Sequence, residues 1–230
     1  AAGHDARDGN LTDAITITGT VDMNTTGTYI LTYSVADAAG NTATANRTVT
    51  VVGNRAVDLN ATVAMDMLWV PAGTFTMGSP TTEAGRQADR ENEHNVSLTK
   101  GFYLGKYEVT QAQYEAVMTG NTETNSSGDI ISATPSNWPN NPNRPVEKVS
   151  WEDVQVFLTR LNAQEAGNIP AGWAYVLPTE SQWEYACRAG TTTMYSWGND
   201  INATRANYNV SGLNQTRDVG YYAANPWGFF

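Results

Sequence analysis

The spacing of apolar and polar residues divides the chain into two parts with different periodicities. In the first part polar and apolar residues alternate, and Val, Ile, Thr and Tyr dominate, which predicts half-buried β-strands. The predicted strands are residues 14–21, 27–37 and 41–52, with turn sequences between them at 24–27 and 37–41. In the second part apolar residues recur at helical spacing in short stretches. The pattern therefore predicts an all-β segment followed by a mixed domain with few regular elements.

Three helix starts in the second part carry a capping box. In this motif a Ser or Thr side chain accepts from the third helical amide, and the residue at that position reaches back to the cap. The pairs are Thr110 with Gln113, Ser150 with Asp153, and Thr179 with Gln182. Gly190 follows the third helix, where a left-handed end favours a residue without a side chain. In the second helix one buried face is predicted from Trp151, Val154, Leu158 and Leu161.

The change of periodicity predicts two domains joined by a linker. We expect residues 1–52 to be a partial β-sandwich, because such a fold needs about seven strands and only about four fit here. Residues 53–65 show no clear period, which predicts the linker. Residues 66–230 are then the second domain. The chain lacks an initiating Met and is expected to begin inside a domain.

The charge of the chain excludes one class of partner. With a net charge of −10 and a pI near 4.5, it has no cluster of Lys and Arg for nucleic-acid phosphates. No apolar run is long enough to span a bilayer. An acidic surface rich in Asn and Thr and poor in Lys predicts an extracellular or cell-surface protein, with the periplasm as the alternative.

The single cysteine, Cys187, limits the chemistry of the chain. One cysteine excludes an intrachain disulfide and a cysteine-based structural zinc site. Cys187 lies four residues after Trp183, on the same face of the predicted helix, and free cysteines are mostly interior. We therefore expect Cys187 to be a buried core residue. The same expectation applies to four tryptophans: Trp69, Trp151, Trp183 and Trp197.

Five sequence blocks carry a resemblance to a known family. They are residues 67–79, 101–118, 144–162, 177–199 and 205–209. In this order they resemble the formylglycine-generating enzyme, or sulfatase-modifying factor, family over about residues 66–230. The resemblance implies an α+β fold, an irregular variant of the C-type-lectin-like fold. Residues 1–52 resemble the small all-β bacterial immunoglobulin-like modules, with the first strands missing.

The resemblance also implies an activity, the oxidation of a cysteine in a sulfatase peptide to formylglycine by copper and molecular oxygen. Two thiolates hold the copper in this family, because soft Cu(I) needs thiolate ligands. Cys187 alone cannot supply two, so we assign no catalytic residue. Residues 224–230 resemble the approach to the family's next block, and the catalytic cysteines are expected after Phe230. The related iron-dependent sulfoxide synthases need three histidines, and only His4 and His94 are present.

The resemblance also implies a calcium site, and unlike the catalytic cysteines its first two ligands have matching residues in this chain. The matching residues are Asn207, which would donate its side-chain oxygen, and Tyr208, which would donate its carbonyl. Calcium takes six to eight oxygens, so the loop at 209–218 would have to supply more, with Asp218 as an unassigned candidate. The alternative is that Asn207 only ties a turn. The acidic segment at 5–13 lacks the spacing of a helix-loop-helix calcium loop, and we interpret it as a solvated turn.

Two functions of different classes are compatible with these residues. The leading hypothesis is a surface protein whose full-length form oxidises a sulfatase cysteine to formylglycine, although this chain lacks the catalytic pair. Its partners would be cysteine-containing sulfatase peptides. The alternative is a non-catalytic binding or structural module on the same fold, displayed at the cell surface. Cysteines after Phe230 would distinguish the two hypotheses, because fold alone does not decide function.

Overall fold

The computed structural model of the chain describes residues 2–22 and 25–230. It divides the chain into two compact units, Ala1–Gly53 and Asn54–Phe230. The predicted turn at 24–27 begins at Asn24, which lies outside the described residues.

The first unit consists of a short hairpin and an antiparallel sheet. The hairpin strands are β1 (His4–Asp5) and β2 (Gly9–Asn10), and the sheet strands are β3 (Thr16–Thr18), β4 (Gly27–Ala36) and β5 (Thr42–Val51). The sheet order is β3-β4-β5, and Tyr33 lies opposite both Ile17 and Ala45. The predicted turn at 37–41 is formed, because the Asp37 carboxylate accepts from the backbone amide of Asn41 at 2.7 Å.

No residue of the first unit is buried among those that the structure describes. The three-stranded sheet has fewer strands than the about seven of a complete sandwich. One of its faces is therefore not covered within this unit. The hydrophobic effect contributes little to the stability of a sheet in this state.

The second unit combines small sheets with short helices. Its strands are β6 (Arg55–Asp58), β7 (Ala64–Val70), β8 (Gly73–Met77), β9 (His94–Leu98) and β10 (Phe102–Gly105). One sheet has the order β10-β7-β6, and β8 pairs with β9 in a second sheet. The helices are α1 (Gln111–Met118), α2 (Trp151–Gln164) and α3 (Glu180–Arg188).

All three predicted capping boxes are formed. Each Ser or Thr accepts from the third helical amide, and each third residue bonds back to the cap. At the end of α3 the left-handed conformation begins at Ala189, with a φ of 50°, and continues at Gly190, with a φ of 85°. It thus starts one residue earlier than predicted.

The predicted linker at 53–65 is wrong for most of its length. Val57 of β6 lies opposite Met65 of β7, and both belong to the hydrophobic core together with Leu59. The side-chain oxygen of Asn60 accepts from the backbone amide of Val63 and closes the connection between the strands. The strand β6 has four residues, which are too few to show a periodic pattern in the sequence. It is a strand because it pairs with β7.

The core of the second unit has two clusters. In the first, α1 and α2 pack on β6 and β7, and the rings of Tyr114 and Phe157 stack with centroids 5.4 Å apart. The second, smaller cluster joins Val70, Tyr185, Ala186 and Phe229.

The buried face of α2 is only partly as predicted. Leu161 is buried, and so is Phe157, which the helical pattern had not singled out. Trp151 is 67% exposed and is therefore not a core residue. It is the first residue of the helix.

A substitution at Tyr114 tests the packing of the first cluster. Tyr114 is 2% exposed, and within the described residues its hydroxyl has no hydrogen-bond partner. We expect Tyr114→Phe to keep the ring stacking, remove an unsatisfied polar atom, and leave the free energy of unfolding equal or higher. Tyr114→Ala should lower it by about 3–5 kcal/mol, as other large-to-small core changes do. Chemical denaturation of both variants measures the difference.

The pH dependence of the same variants gives a second test. Burial, with a smaller effect of the Asp153 carboxylate, raises the pKa of Tyr114 to about 12. The folded state therefore favours the protonated phenol, and this contribution to stability is lost as pH rises from about 10 towards 12. Tyr114→Phe should reduce that alkaline loss of stability. A destabilised Tyr114→Phe variant would show that the hydroxyl makes a favourable bond.

Candidate functional site

Helix α3 is fixed to the end of β8 by one polar network. The Glu184 carboxylate accepts from the backbone amide of Gly78 at 2.9 Å and from Arg188 Nε at 2.7 Å. The Arg188 guanidinium also donates to the Gly78 carbonyl. Gly78 has a φ of 98°, and a Cβ there would lie 2.7 Å from the carbonyl oxygen of Asn92, so only glycine fits. This network sets which face of α3 turns to the core.

The face of α3 that carries Trp183 and Cys187 opens onto an apolar cleft of about 620 Å³. Trp183 is 57% exposed and Cys187 is exposed, so the prediction that both are core residues is wrong. The other walls come from α2, β7, β10, the segment at 169–178 and the last residues of the chain. Helical periodicity identified the apolar side of α3, but it carries no information on whether another element covers that side.

The remaining tryptophans behave differently from one another. Trp69 is half-buried and lies edge-on to Tyr103, with ring centroids 5.0 Å apart. Trp197 is half-buried and stacks on Tyr195 at 5.3 Å. Trp173, which the sequence did not single out, lies 6.2 Å from Trp69 and extends the aromatic wall of the cleft.

The thiol of Cys187 lies in a poorly solvated position although the residue is exposed. Burial of the sulfur among apolar side chains raises its pKa above the usual value, while Arg188 lowers it and Glu184 raises it by smaller amounts. The thiolate is the reactive form, and a raised pKa reduces its population at neutral pH. The direction of the shift therefore disfavours the reactive form of Cys187.

The residues of the chain do not fit a copper or iron centre of the family type. Across residues 2–22 and 25–230, no group of three His, Cys, Asp or Glu side chains could hold a metal. The sequence has one cysteine, so a pair of thiolates is not available. His4 and His94 lie in different units, and His94 is exposed.

The two predicted calcium ligands are close together in the structure. The side-chain oxygen of Asn207 and the carbonyl oxygen of Tyr208 each lie 2.7 Å from the hydroxyl oxygen of Ser211. The amide nitrogen of Asn207 donates to the carbonyl of Gln215 at 2.8 Å, which closes the loop. A cavity of about 220 Å³ opens at this point. Its lining residues are Asn207, Tyr208, Asn209, Asn214 and Gln215.

The cavity beside this loop is lined by neutral polar and aromatic residues, with no carboxylate. The side-chain oxygen of Asn207 and the carbonyl oxygen of Tyr208 both face the Ser211 hydroxyl. That hydroxyl has one hydrogen and can donate to only one of the two oxygens at a time. Asp218 is not among the residues that line the cavity. Its carboxylate accepts from the side chain of Asn141 at 2.8 Å and lies 4.0 Å from Arg144. Calcium affinity depends on ligand charge, so neutral oxygens alone favour weak binding. The same hydrogen bonds are also those of an Asn that ties a turn.

The acidic segment at 5–13 has the geometry of a turn. The Asp5 carboxylate accepts from the backbone amides of Asp8 and Arg7, and these bonds lower its pKa. Asp8 in turn accepts from the amide of Ala38. These carboxylates are engaged by backbone groups of the first unit.

Comparison with known proteins relates both units to described families. The model of the sulfatase-modifying factor enzyme 1-like domain matches residues 54–230, and that of the bacterial surface protein Ig-like domain matches residues 1–51. The mouse formylglycine-generating enzyme is 29% identical in an alignment of 182 positions that covers 62% of this chain and 45% of the mouse protein. A protein named chaperone protein LppX, from Paenibacillus barcinonensis, is 28% identical over 72% of this chain and 56% of its own length.

A solved structure shows the same fold. PvdO from Pseudomonas aeruginosa superimposes with a TM-score of 0.62 at 26% identity, over 78% of this chain and 70% of that chain. The predicted irregular α+β fold is thereby confirmed. The chain spans about half the length of the curated relatives described above.

The environment of Cys187 can be tested by alkylation with iodoacetamide, followed by mass spectrometry across a pH series. We expect the rate to rise with pH to a midpoint higher in the folded chain than in the same chain in denaturant, because burial raises the thiol pKa. Steric shielding would lower the alkylation rate by the same factor at every pH and would leave the pH midpoint unchanged. A shifted pH midpoint therefore reports on the thiol pKa. A folded-state midpoint at or below that of the denatured chain would contradict the assignment.

Proposed function

Because the chain belongs to the family of sulfatase-modifying factor enzyme 1-like domains, we propose that the whole protein oxidises a cysteine of a sulfatase peptide to formylglycine. In this proposal residues 54–230 are the scaffold of the domain, and the reactive centre is supplied by residues outside this chain. The observation that carries the proposal is the similarity to relatives named formylglycine-generating enzyme, in animals and in bacteria.

The residues of this chain support a scaffold role and no chemical step. Copper and molecular oxygen supply the oxidation in the family that the sequence resembles, and copper there needs two thiolates. Cys187 is the only cysteine, and its raised pKa disfavours the thiolate. In this proposal the polar network of Glu184, Arg188 and Gly78 contributes by holding α3 in position within the scaffold.

The match of residues 1–51 to a bacterial surface domain supports a location at the cell surface or outside the cell. Among the described residues, no helix has the length and apolar character needed to cross a bilayer. The proposed partners are cysteine-containing sulfatase peptides. The net charge of −10 does not favour nucleic acid.

A second candidate function is a non-catalytic binding or structural module at the cell surface. Two observations favour it: one similar protein is named a chaperone, and the second unit exposes an apolar cleft. Exposed apolar patches are typical of interaction sites. A pair of cysteines in the rest of the protein would favour the oxidase, and their absence would favour the binding module.

Mass spectrometry of a sulfatase peptide tests the oxidase proposal. Incubated with copper and oxygen, the whole protein should convert the peptide cysteine to the aldehyde, and residues 1–230 alone should not. Cys187→Ala in the whole protein is the control and should retain conversion, because Cys187 is not a copper ligand in this proposal. Conversion by residues 1–230 would contradict the scaffold role. An inactive whole protein with copper bound would favour the second candidate.

We also propose that the loop at 207–215 binds calcium through the side-chain oxygen of Asn207 and the carbonyl of Tyr208. Support comes from the proximity of both residues to one polar cavity. The Ser211 hydroxyl now lies 2.7 Å from both oxygens, and calcium would have to take its place as their partner. Calcium would add a bond between the two arms of the loop, which the hydrogen bond from Asn207 to Gln215 already joins.

The thermal unfolding midpoint should rise with Ca²⁺ and rise less with Mg²⁺, whose strict octahedral geometry suits an irregular loop poorly. At a hundredfold excess over Kd, a ligand that binds only the native state stabilises it by about 2.7 kcal/mol. Asn207→Ala should abolish the response and also lower the metal-free midpoint, because it removes two hydrogen bonds. Asn202→Ala is the matched control, since Asn202 closes a neighbouring turn outside the cavity. A midpoint indifferent to Ca²⁺ in the unmutated chain would refute the site.

A further inference from the structure

Nine segments of the chain have the sequence Asn-x-Ser/Thr, which is the acceptor motif for N-linked glycosylation. In six of them an acidic residue stands two positions before the asparagine. The asparagines of these six motifs are Asn10, Asn24, Asn60, Asn95, Asn125 and Asn202. Asp and Glu number 23 among 230 residues, so composition would place an acidic residue there in about one of the nine motifs. The abundance of Asn and Thr accounts for the motifs, but it does not account for the carboxylate before them.

Most of these carboxylates have no role in the fold. Of the six motifs, that of Asn24 lies outside the described residues. In four of the others the acidic residue is exposed, and its side chain accepts no hydrogen bond and forms no ion pair within residues 2–22 and 25–230: Asp58, Glu93, Glu123 and Asp200. Asp8 is the exception, since it accepts from the amide of Ala38 at 2.8 Å. A carboxylate that only served to close a turn would be bonded to that turn.

Two of the motifs share the same geometry around the asparagine. In residues 58–62 the side-chain oxygen of Asn60 accepts from the Thr62 amide at 2.9 Å and from the Thr62 hydroxyl at 3.2 Å. In residues 200–204 the oxygen of Asn202 accepts from the Thr204 amide at 3.0 Å and from its hydroxyl at 2.6 Å. In both turns the partner of the asparagine is therefore the hydroxyl residue that the acceptor motif requires.

The side-chain nitrogen of these two asparagines is unoccupied. Asn60 and Asn202 are exposed, and in the described part of the chain neither nitrogen donates a hydrogen bond. Asparagines that stabilise the fold use this nitrogen, as Asn162 and Asn207 do when they donate to backbone carbonyls at 2.8 Å. A sugar on the nitrogen would leave the side-chain oxygen as an acceptor, so the turn would persist after modification.

The other described motifs with an acidic residue lack one of these features. Asn95 lies within the strand β9, where its motif cannot form the same turn. Asn125 is half-buried. In the motif of Asn10 the carboxylate of Asp8 is already engaged by a backbone amide. An exposed asparagine, a free carboxylate and the turn occur together only at the motifs of Asn60 and Asn202 among the described residues.

We propose that Asn60 and Asn202 are N-glycosylated by a transferase whose acceptor site has a cation for the carboxylates of Asp58 and Asp200. The donor is a sugar carried on a lipid pyrophosphate. The asparagine Nδ2 forms a bond to C1 of the sugar, and the bond from C1 to the pyrophosphate oxygen breaks. The lipid pyrophosphate leaves with the electron pair, and the nitrogen loses one proton to solvent. The inference rests on the proposed location at or outside the cell surface, and it is independent of the oxidase proposal.

Mass spectrometry of the whole protein, expressed in its own host, tests the proposal. Peptides that contain Asn60 and Asn202 should carry a glycan, and electron-transfer fragmentation should place it on the asparagine instead of a neighbouring threonine. Asp58→Asn should lower the occupancy of Asn60 at least about tenfold and leave that of Asn202 unchanged, because the loss of a hydrogen bond to a charged group has an effect of this size. Asp58→Glu keeps the charge and is the matched control, which should retain most of the occupancy.

The chain also contains an internal control. Asn46 is exposed and has the acceptor motif, but Thr44 stands two positions before it, so Asn46 should stay unmodified. Unmodified Asn60 and Asn202 in the whole protein would overturn the proposal, as would sugars on threonine alone. Equal occupancy of Asn60 in Asp58→Asn, or occupancy of Asn46 equal to that of Asn60, would show that the carboxylate is not recognised. Occupancy of Asn202 in each Asp58 variant confirms that the variant was exported and reached the transferase.

Discussion

The second unit depends on the way in which Glu184 joins α3 to the end of β8. One carboxylate accepts from both Gly78 and Arg188, so the rotation of α3 about its axis is fixed. Tyr185 and Ala186 are thereby turned onto Val70, and the two buried residues of the helix form the smaller core cluster. The same rotation necessarily turns Trp183 and Cys187 away from that cluster and towards the cleft.

The two core clusters differ in how completely their helices are covered. Around α1 and α2 the packing is closed, with Met118 and Leu161 almost inaccessible to solvent. The end of α2 is joined to β6 by an ion pair between Arg55 and the buried Glu165 at 3.6 Å. Around α3 only one side is packed. The helix is positioned by its polar contacts to Gly78 and by the burial of Tyr185 and Ala186, and the apolar surface beside Trp183 remains accessible.

Features that depend on neighbouring residues in the chain could be predicted from the sequence. Each capping box uses residues three positions apart, so Thr110, Ser150 and Thr179 were identifiable as helix starts. Features that depend on distant partners could not be predicted in the same way. The strand β6 is regular only because β7 pairs with it, and the exposure of Trp183 depends on which elements surround α3. Asn207 and Tyr208 are adjacent in sequence, but their convergence on Ser211 is a property of the folded loop.

The central claim is that the Trp183 face of α3 is open in this chain although its sequence pattern is that of a core face. Fluorine NMR of 5-fluorotryptophan-labelled residues 1–230, assigned by single Trp→Phe variants, tests it in the presence of a soluble paramagnetic agent. The account predicts that Trp183 and Trp151 broaden strongly, and that the half-buried Trp69 and Trp197 broaden less. A Trp183 resonance as protected as that of Trp69 would show that the cleft is closed, and it would contradict the account.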